Sequence, residues 1–158
     1  LTSDTATIST GTLPTGYKGL QIFSKIQCDA TTSSQNFISV RAHINGDSSQ
    51  ANYQRTFLFF TNNVASHRAA DSFMLGSAVQ NDANFWVRSQ VVIVDHEASN
   101  AYKSWYSTIA TGTTIAANNG TSVSGVWRNT DPITSIDFVV FGGNNFKSGC
   151  KIHIYGMK

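Results

Sequence analysis

The chain has 158 residues, of which 11 are Lys or Arg and 9 are Asp or Glu, giving a formal charge of +2. This length suits one domain, whose core buries about 68–70% of the surface of the unfolded chain. A charge of +2 without a basic block is too small for a protein held on nucleic acid by phosphate contacts. No apolar run reaches the ~18–20 residues that cross a bilayer. The composition therefore predicts no nucleic-acid partner and no membrane insertion.

The polarity of the chain comes mainly from neutral side chains. Charged residues make up only 13% of the sequence, whereas Ser, Thr and Asn together supply 49 of the 158 residues. Two cysteines, Cys28 and Cys150, each alternate with isoleucines, which is typical of small core residues. We therefore expect both to be free thiols, in keeping with synthesis in a reducing compartment.

Apolar residues follow the period of β-strands, and no stretch has a helical repeat. Runs of about 6–10 β-branched and aromatic residues are separated by Gly, Asn, Ser and Asp. Alternation places Leu20, Ile22 and Ile26 on one inward face. In chain order the predicted strands are 20–28, 37–44, 53–60, 85–95, 101–109, 122–127, 133–141 and 150–155, with a strand or helical turn at 73–75.

About eight strands at spacings near ten residues predict an all-β fold, an antiparallel β-sandwich. The sequence predicts one such domain over residues 18–158. Residues 1–17 are rich in Thr and poor in large apolar side chains, so we expect an N-terminal arm with no core of its own. Ile8 and Leu13 would give this arm apolar contacts on assembly with a neighbour.

Titratable residues form no pattern that indicates catalysis. Asp95, His96 and Glu97 are consecutive, and adjacent side chains in a tight turn rarely converge on one ion, so a solvated turn is expected. The four histidines have no metal-ligand spacing, and no serine lies in a nucleophile elbow. The sequence predicts no enzyme, no metal site and no cofactor.

Aromatic residues are the better candidates for binding. Tyr102, Trp105 and Tyr106 could stack on sugar rings or contribute to a protein interface. In a strand Tyr102 and Tyr106 share one face while Trp105 lies on the other, so at least one ring is expected to be exposed. Trp127 is flanked by alternating valines and is expected in the core.

Three segments together resemble a jelly-roll module of the virion structural proteins of tailed bacteriophages. The first is an alternating strand that leads into Asn45-Gly46-Asp47 and then Tyr53, the second is Gly125-Val-Trp127 followed by 133–136, and the third is Gly149 to Gly156. The resemblance spans residues 18–157. It implies a head-decoration, head-fibre or tail-fibre-tip protein that is often trimeric and has no catalytic residues. The roles it implies are turn formation by Asn45, Gly46 and Asp47 and packing by Trp127 and Tyr155.

The expected function is that of a capsid decoration or cement subunit on the virion surface, made in the host cytoplasm. Its partners would be the major capsid protein or fibre components, and the resemblance implies that it forms a homo-oligomer, a trimer. The alternative is a fibre module that recognises a host surface glycan. Its candidate contacts are Tyr102, Trp105, Tyr106, Asp95 and Glu97. A polysaccharide hydrolase is the least supported class, because no pair of carboxylates can be nominated.

Overall fold

The structure is a computed structural model, and it describes residues 1–29, 39–60, 66–69, 73–77, 86–111, 120–140 and 142–158. Within these ranges, the side chains at 39, 57–60, 66–69, 73–77, 111 and 120 are not described. The predicted positions 37, 38, 85 and 141 lie outside the described residues. No helix in the described ranges has the length and apolar character needed to cross a membrane.

Eleven strands in the described residues form two antiparallel sheets that pack as a sandwich. One sheet has the order β1-β10-β3-β6 and the other the order β11-β2-β7-β8-β9-β4-β5. A 3-10 turn, Gln50–Asn52, precedes β4. The strands are β1 (Thr7–Ser9), β2 (Gly19–Ile26), β3 (Ser39–Ile44), β4 (Tyr53–Phe60), β5 (Ser66–Ala69), β6 (Phe73–Ser77), β7 (Val87–Val94), β8 (Lys103–Thr111), β9 (Gly120–Trp127), β10 (Ile136–Val140) and β11 (Lys151–Met157).

The predicted all-β antiparallel sandwich is confirmed, with eleven strands where about eight were expected. The segment at 73–75 belongs to a strand, β6. The two strands that the sequence did not predict are β1 and β5, which have only three and four residues. Such short segments complete too little of a two-residue period to be recognised from the sequence.

The core lies between the two sheets and is built by alternation along the strands. Leu20, Ile22 and Ile26 are fully buried on β2, as predicted, and Val40 and Ile44 are buried on β3. The same cluster includes Trp127, Phe138 and Phe146. Cys28 and Cys150 are buried free thiols, which confirms the expectation for both. At the end of β7, by contrast, Val94 is exposed.

Residues 1–17 are part of the sandwich, so the predicted separate arm is wrong. β1 pairs with β10, where Ile8 stands opposite Phe138. Leu13 is buried in the core cluster, and Ile8 packs against that cluster. Burying side chains of this size stabilises the fold by about 1.5–3 kcal/mol each, relative to full exposure. The contacts expected between an arm and a neighbouring subunit are therefore made within the chain itself.

Candidate contact surface

The exposed aromatic and large apolar side chains gather on one face of the molecule. We call it the outer face, the side of the seven-stranded sheet that points away from the core. Among the described residues six large apolar side chains are exposed, and all but Leu1 lie on the outer face or continue its alternation. They are Phe23, Val94, Tyr102, Tyr106 and Tyr155, with exposed fractions between 40% and 58%. Exposed apolar side chains that gather on one face are typical of interaction sites.

Strand register explains how these side chains meet, although they come from distant parts of the sequence. Tyr155 stands opposite Gln21, which stands opposite Val92, and Val92 in turn stands opposite Tyr106. Val92 points outward, yet it is only 6% exposed within this row. Phe23 and Tyr155 form an edge-to-face pair, with ring centroids 6.0 Å apart and an interplanar angle of 74°. The row has a tyrosine on each of its outermost strands, and we call the row together with the ring pair the aromatic stripe.

A shallow groove lies beside this stripe. Its volume is about 330 Å³. The lining combines neutral polar side chains with one arginine and with apolar residues, and consists of Gln54, Arg55, Thr56, Ser104, Trp105, Ser124, Gly125 and Val126. Ser124 stands directly opposite Tyr106, so the groove borders an exposed ring. Hydroxyl and amide groups beside an aromatic ring are the combination that a sugar requires.

The structure separates the three aromatic candidates of β8. Tyr102 and Tyr106 are both more than half exposed, and the prediction that they share a face opposite to Trp105 is confirmed. Trp105 itself is only 3% exposed, so it can offer only the small part of its ring that lines the groove, and its role as a glycan contact stays a prediction. Its ring packs under Gly125, where an added Cβ would lie 2.3 Å from Trp105 Cζ2. The Trp105 indole can occupy this position because Gly125 has no side chain.

The turn after β7 is structural rather than solvated throughout. Asp95 is exposed with a φ of +52°, at the rim next to Val94, but His96 is only 1% exposed. The Glu97 carboxylate accepts hydrogen bonds from the backbone N–H groups of Gly16 and Tyr17, at 2.5 and 3.4 Å. Glu97 therefore holds the N-terminal segment against this turn. The prediction of a solvated turn is wrong at His96.

Burial is the main influence on His96. It lowers the pKa of the imidazole, while the Glu97 carboxylate, 3.8 Å from Nε2, acts in the opposite direction. The described ranges contain no group of three His, Cys, Asp or Glu side chains that could hold a metal ion. The turn thus has one buried imidazole and one carboxylate that is engaged in hydrogen bonds.

The predicted turn residues do form a turn, and they also anchor it. Asn45 and Gly46 have φ values of +52° and +73°, which is the conformation of a two-residue reversal. The Asn45 side chain accepts hydrogen bonds from the backbone N–H groups of Thr134 and Ser135, at 2.8 and 3.1 Å. It also donates to the carbonyl of Pro132 at 2.8 Å. The loop is thereby held against the segment that precedes β10.

Asp47 links this turn to the core. Its Oδ2 accepts hydrogen bonds from Trp127 Nε1 and Asn52 Nδ2, each at 2.8 Å, and its Oδ1 accepts one from the Ser49 N–H at 2.9 Å. Partial burial acts to raise the pKa of Asp47, but these hydrogen bonds outweigh it and hold the pKa below its ordinary value. Trp127 is fully buried, which confirms its predicted packing role.

Tyr155 was expected to pack, and this prediction is wrong, since its side chain is 55% exposed. Sequence reasoning also missed Phe23 as a surface residue. The available signal was alternation, because Ile22 and Ile154 point inward and their neighbours must point outward.

A scan of protein-family models, a search of curated proteins and a search of solved structures each found no match to this chain.

Proposed function

We propose that the chain is a non-enzymatic structural protein of a bacteriophage virion, a capsid decoration subunit that works through protein–protein contacts. The phage setting comes from the sequence resemblance described above. The observation that supports a contact role is the concentration of exposed aromatic side chains on the outer face. Protein interfaces are enriched in Tyr and Phe and poor in acidic residues at their centre. Attachment is therefore assigned to the outer face, in place of the N-terminal segment.

The partners in this proposal are the major capsid protein or fibre components, with the protein itself assembled as a homo-oligomer, most simply a trimer. The location is the virion surface after synthesis in the host cytoplasm. The two buried free thiols fit a protein made in a reducing compartment. Sedimentation equilibrium of the purified protein tests the trimer directly, and a monomer at micromolar concentration contradicts it.

The experiment for attachment counts copies bound per particle. Phe23→Ser combined with Tyr155→Ser removes the edge-to-face pair while leaving the core untouched. Val139→Ser is the control, because Val139 points outward from the other sheet. We expect the double variant to lose most of its occupancy and the control to keep it, with circular dichroism unchanged in both. Full occupancy of the double variant contradicts attachment through the outer face.

A second function, recognition of a host surface glycan, is favoured by the groove beside Tyr106. Ser104 and Ser124 contribute hydroxyl groups there, and the ring offers a stacking face. Tyr106→Ala is expected to weaken binding to host envelope material at least tenfold. Thr108→Ala, one outward position further along the same strand, is the matched control. Equal binding by the Tyr106 variant and the wild type removes the groove from glycan recognition.

A further inference from the structure

Three basic side chains stand in one row at the end of the outer face. Lys25 on β2 is directly opposite Lys151 on β11, and on its other side it is directly opposite Arg88 on β7. Neighbouring strands are about 4.8 Å apart, so the row extends over roughly 10 Å. We call these three residues the basic row. Arg88 and Lys151 are exposed, and Lys25 is half-buried.

The basic row lacks a counter-charge within the described part of the chain. The contact found there between ionisable side chains joins His96 Nε2 and the Glu97 carboxylate, and it involves no member of the row. The described outward positions of β2, β4, β7, β8, β9 and β11 carry no Asp or Glu. Like charges directly opposite one another destabilise a sheet. A feature that works against stability in this way is typical of a site that serves binding.

Aromatic rings order the row and border it. Lys25 Nζ lies 4.0 Å from the centroid of the Trp86 ring, a distance at which the cation is attracted to the ring face. Trp86 is half-buried and packs against the core, so it is a firm platform for the lysine. The next outward residue on β2 is Phe23, which begins the aromatic stripe with Tyr155. Cations and ring faces are therefore adjacent on one open surface.

We propose that the basic row binds an acidic polysaccharide, with carboxylate or sulfate groups on successive sugars meeting Lys151, Lys25 and Arg88. The proposal uses the same outer face as capsid attachment, so the two contacts are alternative uses of that face, and it extends the glycan alternative by assigning a charge to the glycan. A sugar polymer fits better than an acidic protein because the rest of the face combines ring surfaces with neutral hydroxyl and amide groups. Those groups include Gln21, Gln90 and Ser122. The positive charge of the row thus favours an acidic ligand over a neutral one. The neutral polar groups around it favour a polysaccharide over an acidic protein.

The test measures binding of heparin and alginate fragments by isothermal titration calorimetry at 50 and 200 mM salt. Dextran is the neutral reference, and a poly-glutamate peptide is the acidic protein reference. The test variant is Lys25→Gln, Arg88→Gln and Lys151→Gln combined. The control is Lys18→Gln with Lys158→Gln, which removes two exposed lysines at the other end of β2 and β11.

We expect the acidic polysaccharides to bind and dextran to bind at least tenfold more weakly, with affinity falling as salt rises. The triple variant should lose at least tenfold in affinity, while the control keeps the wild-type value. Equal losses in the two variants, no binding of either acidic polysaccharide, or tighter binding of poly-glutamate than of heparin and alginate would each overturn the proposal. Copies of the triple variant per virion report on capsid attachment separately, so the two proposals can fail independently.

Discussion

Removal of the Asp47 carboxylate is the most informative test of the hydrogen bonds that hold the turn at 45–47 in place. It accepts hydrogen bonds from Trp127, Asn52 and Ser49, and it joins the turn at 45–47 to β9 and to the segment before β4. Asp47→Ala eliminates all three hydrogen bonds without changing the positive φ values at Asn45 and Gly46. The effect therefore isolates the hydrogen-bonding role of the carboxylate from the formation of the turn.

The expected loss of stability depends on which of the three donors can hydrogen-bond to water once the carboxylate is removed. The Ser49 N–H lies at an exposed position, so water replaces its partner at little cost. The indole N–H belongs to a fully buried Trp127, and an unsatisfied buried donor costs about 1–3 kcal/mol. Loss of the hydrogen bond from Asn52 adds to this, so we expect the free energy of unfolding to fall by about 2–4 kcal/mol.

Urea unfolding at pH 7 measures this change in the free energy of unfolding. A double-mutant cycle shows how much of it comes from the hydrogen bond between Asp47 and Trp127. Trp127→Phe removes the indole donor while keeping an aromatic ring in the core. In that background Asp47→Ala should cost at least 1 kcal/mol less than in the wild type, because no buried N–H is left unsatisfied. A cost below about 0.5 kcal/mol in the wild type, or equal costs in both backgrounds, refutes the reasoning.

Three further substitutions test other parts of the fold. Burial lowers the pKa of His96, so the unfolded chain takes up a proton at a higher pH than the folded protein does, and the free energy of unfolding should fall as the pH drops below 6.5. Urea titrations at pH 7.5 and 5.5 should show a smaller pH effect in His96→Gln than in the wild type. An equal pH effect in the two proteins contradicts this role of His96. Gly125→Ala places a Cβ 2.3 Å from the Trp105 ring, so calorimetry should record a loss of about 1–3 kcal/mol, and a wild-type melting temperature refutes the close packing. Lys103 is fully buried and donates to the carbonyls of Ala98, Ala101 and Thr130, so Lys103→Met should lower the free energy of unfolding by about 2–4 kcal/mol, whereas a change within 0.5 kcal/mol assigns these hydrogen bonds no role.

Local alternation was enough to predict most of the strands, because a buried face repeats every second residue. On β2, Leu20, Ile22 and Ile26 could be assigned inward from the sequence, and the structure confirms this. β8 shows where alternation fails. Its inward face carries Lys103, Trp105 and Ser107, and its outward face carries Ser104 and Tyr106. Both faces mix polar and aromatic residues, so the pattern could not show which tryptophan or tyrosine is buried.

Contacts between distant segments could not be predicted. Ile8 and Leu13 appear isolated in the sequence, and the partner of Ile8 in the sheet is Phe138, far along the chain. The basic row depends in the same way on the register of three strands from both halves of the sequence. A one-residue shift in register would place Lys151 or Arg88 opposite an inward residue. Pairing of strands, rather than strand content, creates the outer face.

The central claim is that the outer face of the seven-stranded sheet makes the contacts through which this protein works. Site-specific photo-crosslinking tests it most directly, with a benzophenone amino acid at position 23 on the outer face or at position 139 on the opposite sheet. Both variants are presented to assembled particles and to host envelope material. We predict cross-links to a partner from position 23 and none from position 139. Cross-links from position 139 alone, or none from position 23 with either target, contradict the claim.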